Sequence, residues 1–74
     1  MTNKQVAVCW AQGIVAQAEN YRSDGVRLYS YQAVIAEHRG AEPSRITTRK
    51  YSVTTSRHTN LAAKAMPEAV REEF

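Results

Sequence analysis

Ser23-Asp24-Gly25 is the strongest turn signal in the chain and the feature that most constrains its fold. Gly accepts a positive φ, Asp hydrogen-bonds its own local backbone, and the flanking residues suit extended structure. On the C-terminal side Val26, Leu28 and Ser30 face one way while Arg27, Tyr29 and Tyr31 face the other. That period of two predicts a strand over 26–31 with one core face and one aromatic-basic face. Glu19 to Arg22 supplies the segment before the turn. Gln32-Ala33 fits either a tight turn or a bulge ahead of Val34 to His38, where Ala33 and Ile35 alternate with Val34 and Ala36 and either pair can be the core face. Arg39 to Ser44, with Gly40 and Pro43, reads as a loop. Arg45 to Lys50 reads as a further strand, with Ile46 and Thr48 on one face and Arg45, Thr47 and Arg49 on the other.

Upstream, Gln5 to Ala11 is β-branched and aromatic enough for a strand, Gln12-Gly13 marks a turn, and Ile14 to Ala18 resumes the apolar pattern, so a hairpin is expected there. Lys4, the run Val6 to Val15 and Ala16-Gln17-Ala18 imitate a signal peptide, but Gln12 and Gly13 interrupt the run and the stretch is read as strands. Downstream, a helix is expected from Thr55 to Met66, with Ser52 or Thr54 as N-cap and Pro67 as its stop. Its apolar stripe is His58, Leu61, Ala62, Ala65 and Met66, and Pro67 can open a second short helix over Glu68 to Glu73. The expectation is one α+β domain over residues 1–74: a small antiparallel sheet of four or five short strands with one C-terminal helix packed on a face.

A chain of 74 residues buries only roughly 60% of the surface its unfolded form exposes. Eleven of its 32 hydrophobic residues are alanines, which add little apolar area, so a homodimer is one expected route to extra burial. No run approaches the about 18 apolar residues of a membrane span. Cys9 stands alone, which excludes an internal disulfide and any cysteine-rich metal site, and its apolar surroundings suggest a buried, inert thiol.

The net charge of +3 is unevenly spread: Arg45, Arg49, Lys50, Arg57 and Lys64 lie between Pro43 and Pro67 with no acid, whereas Glu68, Glu72 and Glu73 dominate the tail. That basic strand-helix segment, 45–64, suits an acidic protein surface or a phosphate backbone; equally, it can be an ordinary solvated face. Within it, Ser52, Thr54, Thr55 and Ser56 precede Arg57 and His58 at the expected helix start. Hydroxyl, guanidinium and backbone donors at such a point can seat an anion, while the bland alternative is plain capping. Trp10, Tyr21, Tyr29, Tyr31 and Tyr51, interleaved with Arg22, Arg27 and Arg49, can form a stacking platform for single-stranded nucleic acid, with Tyr29 and Tyr31 sharing a face with Arg27, or serve as amphipathic core edges. His58, on the apolar stripe, is expected as a packed histidine and His38 as an exposed one; no metal or cofactor is expected. No nucleophile, base and orienting acid are grouped, so the chain is not expected to be an enzyme.

Two patterns occur together: Tyr21, Asp24, Gly25, Leu28, Tyr29, Ser30, Tyr31, Ile35 and Ala36, then Tyr51, Ser52, Thr54, Thr55, Ser56, Arg57 and His58. They resemble a family of short proteins of phages, plasmids and bacterial mobile elements, over about half of the chain. Where that family often has a glycine after the second tyrosine, this chain has Gln32. The resemblance implies a small accessory protein in the cytoplasm of a bacterial host. By analogy with phage accessory proteins, it implies binding and inhibition of a host protein or nucleoprotein complex such as a CRISPR effector. Direct nucleic-acid binding is the alternative. The candidate binding residues are Arg57, Arg49, Arg45, Lys50, Thr54, Thr55, Ser56, Tyr29, Tyr31 and Arg27.

Overall fold

The computed structural model describes residues 1–74. Its elements run α1 (Asn3–Ala11), β1 (Val15–Gln17), β2 (Tyr21–Asp24), β3 (Arg27–Ser30), β4 (Ala33–Arg39), β5 (Glu42–Thr47), α2 (Val53–Ala65) and β6 (Val70–Glu72). The strands form one sheet in sequence order, antiparallel through β5, with β6 added parallel to β5 after the crossover through α2. The α+β class and the helix near the C-terminus are as the sequence suggests. The sheet has six strands rather than four or five, and it is mixed.

The 23–25 turn works as its residues imply. Asp24 Oδ1 accepts from the N–H groups of Val26 at 2.9 Å and Arg27 at 2.6 Å, and Gly25 takes φ 95°. A Cβ on Gly25 would lie 3.2 Å from the Gly13 carbonyl oxygen, so this position also lets two turns approach. The register then puts Ala16, Ser23, Leu28, Ala36 and Ile46 in one row across five strands, all buried beneath the helices. A register shift opposite Leu28/Tyr29 lets Ile35 and Ala36, although adjacent, both be buried. The ambiguity over which face of 33–36 is core is thereby resolved.

The expected N-terminal hairpin is not formed; Gln5–Ala11 belongs to a helix. Thr2 Oγ1 accepts from Gln5 N–H at 3.2 Å while Gln5 Oε1 accepts from Thr2 N–H at 2.8 Å, a reciprocal capping box. Val6, Ala7 and Trp10 then fall on one helical face and are fully packed, and Trp10 Nε1 donates to the Val26 carbonyl at 3.0 Å. Packing of that face outweighs the local strand preference of valine and tryptophan.

The short helix expected after Pro67 is likewise replaced by a strand, β6, whose Glu72 meets Arg39 and Arg45 across the sheet. The 39–44 loop is a tight turn at Gly40 (φ 65°), and the strand expected over 45–50 starts at Glu42 and ends at Thr47, so Arg49 and Lys50 lie beyond it. Pro43 falls where the β4–β5 register shifts. Ser52 caps α2 by accepting from Thr55 N–H at 3.1 Å, and α2 stops before Pro67. Its buried face is Thr55, His58, Thr59 and Ala62, turned from the expected stripe so that Leu61 and Ala65 are only partly covered. Neither helix is long and apolar enough to cross a membrane.

Candidate functional site

The hydroxyls before α2 are drawn into the fold. Ser52 Oγ donates to Thr55 Oγ1 at 3.2 Å, Thr55 Oγ1 lies 3.1 Å from Ser30 Oγ, and Ser30 Oγ lies 2.6 Å from His58 Nδ1. The His58 ring stacks on Tyr21 at 4.3 Å, and its Nε2 is 3.3 Å from the Asn3 amide. The Tyr21 hydroxyl, buried and held in its neutral form by that burial, donates to the His58 carbonyl at 2.9 Å. Burial also pushes the His58 pKa below its ordinary value, which favours the neutral ring. His58 is thus the packed histidine anticipated from its place on the helix, and Thr55 is sealed within this network. Of the four hydroxyls, Thr54 alone remains exposed on the helix; Ser56 is half-buried, its carbonyl accepting from Thr59.

His38 is not exposed as expected. It stacks on Trp10 at 4.6 Å, its Nε2 reaches the Trp10 carbonyl at 2.6 Å, and its Nδ1 bonds the Ser44 hydroxyl. No three His, Cys, Asp or Glu side chains converge closely enough to hold a metal. Cys9 is half-buried rather than buried.

Three arginines of the sheet are held by carboxylates. On the sheet face away from the helices, Arg27 lies 3.6 Å from Glu37, and Arg45 holds Glu37 at 2.6 Å and Glu72 at 3.3 Å while stacking on Phe74. Arg39 reaches Glu72 at 2.9 Å. Burial opposes the Arg45 charge, but the hydrogen bonds to Glu37 and Glu72 outweigh it and raise its pKa. Tyr29 is on this face too, under the Arg22 guanidinium at 3.9 Å and with its hydroxyl on Asp24 at 3.3 Å. Arg27, Arg45 and Tyr29 are therefore already engaged within the molecule.

Arg49, Lys50 and Arg57 have no carboxylate partner and are exposed. Arg49 and Lys50 follow β5, and Arg57 lies early in α2. The β3–β4 turn is at the same end, because Ser30 contacts Thr55 and the Tyr31 ring is 6.3 Å from His58. Tyr31 has φ 56°, the one non-glycine residue in the left-handed region, which costs on the order of 1 kcal/mol. That dihedral takes it out of the strand alternation, so Tyr29 and Tyr31 do not share a face. Tyr31 is 50% exposed, Tyr51 47% and Val53 73%. One end of the molecule thus joins three cations without carboxylate partners, Arg49 among them 5.9 Å from the Tyr51 ring, to two half-exposed tyrosines and an exposed valine.

The family model that matches is described as a family of unknown function (DUF8033), and it covers residues 1–73. The chain belongs to that family. No curated protein and no solved structure matches it. Within the site, Tyr51 belongs to the aromatic-basic set suggested by sequence, whereas Val53 does not. The signal for Val53 was its place off the apolar stripe, directly after the capping Ser52 at the first position of α2.

Proposed function

We propose that this chain is a non-catalytic binding protein of a mobile element, acting in the bacterial cytoplasm, that docks on a host protein or nucleoprotein complex such as a CRISPR effector and inhibits it. The docking end is built from Arg49, Lys50, Arg57, Thr54, Tyr31, Tyr51 and Val53. The observation that carries this reading is the contrast among the cations: on the sheet Arg27, Arg39 and Arg45 are matched by carboxylates and Arg22 lies over Tyr29, whereas Arg49, Lys50 and Arg57, beside Tyr31, Tyr51 and Val53, have no carboxylate partner. Arginine and tyrosine around an apolar centre are typical of protein interfaces. Backbone strain at Tyr31, exposed at that end, adds to the same reading. Against catalysis stands the burial of Ser30 and His58, the one close hydroxyl–imidazole pair at this end.

Direct nucleic-acid binding is the second reading, favoured by the cation–tyrosine mixture. Neutralising three phosphates would give a log–log salt slope of about −2.7 and an about fortyfold loss of affinity between 50 and 200 mM salt. The test is capture from nuclease-treated bacterial lysate by the tagged protein and by its Arg49→Glu/Arg57→Glu variant, beside titration of short DNA and RNA strands. A protein captured only by the unaltered chain, with little oligonucleotide binding, supports the proposal. Capture that disappears with nuclease, together with steeply salt-dependent oligonucleotide binding, replaces it by the second reading.

A further inference from the structure

A different surface, on the outside of the helical layer, has its own chemistry. Asn3 at the start of α1 meets His58, and the next turn of α1 lies against Leu61–Ala65 of α2. Between them Lys4, Val8, Leu61, Lys64 and Ala65 line a hollow of about 120 Å³. It continues along α1 into a shallower one of about 300 Å³, bounded by Met1, Lys4, Gln5, Val8 and Cys9. The floor is apolar, with Val8 42% exposed and Leu61 only partly covered, and a lysine stands on each side. Neither α1 nor α2 contains an acidic residue, and every ion pair in the molecule is on the sheet. Lys4 and Lys64 therefore have no internal counter-charge.

We infer that this groove between α1 and α2 receives an acidic amphipathic helix of a partner protein, with its apolar stripe on Val8, Leu61 and Ala65 and carboxylates on either side reaching Lys4 and Lys64. Two neighbouring helices present a natural seat for a third, and an apolar floor between two cations selects a helix that is apolar in the middle and acidic at its margins. A phosphate backbone would leave the apolar floor uncovered. An anionic membrane would call for the cluster of about four to eight cations that such surfaces use. This surface is separate from the end that carries Arg49, Lys50 and Arg57, so the two can be tested independently.

The probe is a synthetic peptide of about 18 residues, long enough to form a helix alone, with leucines along one stripe and glutamates flanking it. Its controls are the same peptide with lysines replacing the glutamates, a scrambled glutamate peptide, a short single-stranded DNA and anionic phospholipid vesicles. Binding is followed by amide NMR shifts of the protein up to about 1 mM ligand, the limit of weak but specific association. The expected result is shifts at Val8, Leu61, Lys64 and Ala65 with the acidic helix alone, weakened at least tenfold by Lys4→Glu/Lys64→Glu, whose own amide spectrum stays folded. Absence of shifts, equal binding of all three peptides, tighter binding of DNA or vesicles, or shifts confined to Arg49–Arg57 would overturn the inference.

Discussion

Ser30→Ala probes the buried network that holds β3 to α2. The Ser30 hydroxyl contacts both His58 Nδ1 at 2.6 Å and Thr55 Oγ1 at 3.1 Å, and all three residues are nearly inaccessible to water. Thr55 keeps its bond from Ser52 in the variant, so the loss falls on the imidazole nitrogen, which is left buried without that partner. A buried polar group stripped of its partner costs about 1–3 kcal/mol, and the lost bond itself belongs to that range; we expect ~2–3 kcal/mol. A 74-residue domain has a total stability of about 4–11 kcal/mol. The change corresponds to a fall in Tm of roughly 10–20 °C. Trp10, fully buried in the core, provides the fluorescence signal for urea unfolding. His58→Phe keeps a ring against Tyr21 and removes the orphaned nitrogen, at an expected cost of about 1–2 kcal/mol. The double variant should be less destabilised than the sum of the singles by at least about 1 kcal/mol. A cost below about 0.5 kcal/mol for Ser30→Ala, or strict additivity of the pair, would refute the network as a stabilising unit.

Acid sensitivity follows from the same ring. In the unfolded chain His58 takes up a proton near its ordinary value of 6.5, whereas in the fold burial defers this to lower pH. Stability is therefore full above pH 6.5 and falls as pH is lowered beneath it, by no more than about 1.4 kcal/mol per pH unit. Urea midpoints across this window should decline in the unaltered protein and flatten in His58→Phe; identical profiles would contradict the assignment. Thr2→Ala removes one half of the α1 capping box and should cost about 1 kcal/mol, whereas a strand in that position would be indifferent to it. Tyr31→Gly relieves the left-handed dihedral and should leave stability within about 1 kcal/mol of the original or raise it. It should also weaken partner capture, and unimpaired capture would remove Tyr31 from the docking end.

What was legible in the sequence was local. Asp24 and Gly25 dictate their turn through bonds to residues two and three positions away, and Ser52 caps the helix through Thr55, three positions on. The misread elements depend on distant partners. Val8, Cys9 and Trp10 read as strand until the sheet offers Trp10 a place, although Thr2 and Gln5 already carried the capping-box spacing. Glu72 reads as part of a solvated acidic tail until β6 lies beside β5 and brings it to Arg39 and Arg45. The same contact takes Arg45 out of the basic segment seen along the chain. Ser30 gave no sign of its role, since Thr55 and His58 lie 25 and 28 positions away.

The most direct test of the division between engaged and free cations compares two charge reversals in one experiment. Arg57→Glu alters an exposed residue without an ion pair, while Arg45→Glu strikes the residue that joins Glu37, Glu72 and Phe74. Thermal melts and capture of the nuclease-resistant partner should separate them: Arg57→Glu keeps its Tm, with a stability change within about 0.5 kcal/mol, and loses the partner, whereas Arg45→Glu lowers Tm and, while folded, retains the partner. The reverse pattern, with Arg57→Glu unfolding the domain or Arg45→Glu abolishing capture at full stability, would place the docking surface on the open sheet and contradict the account.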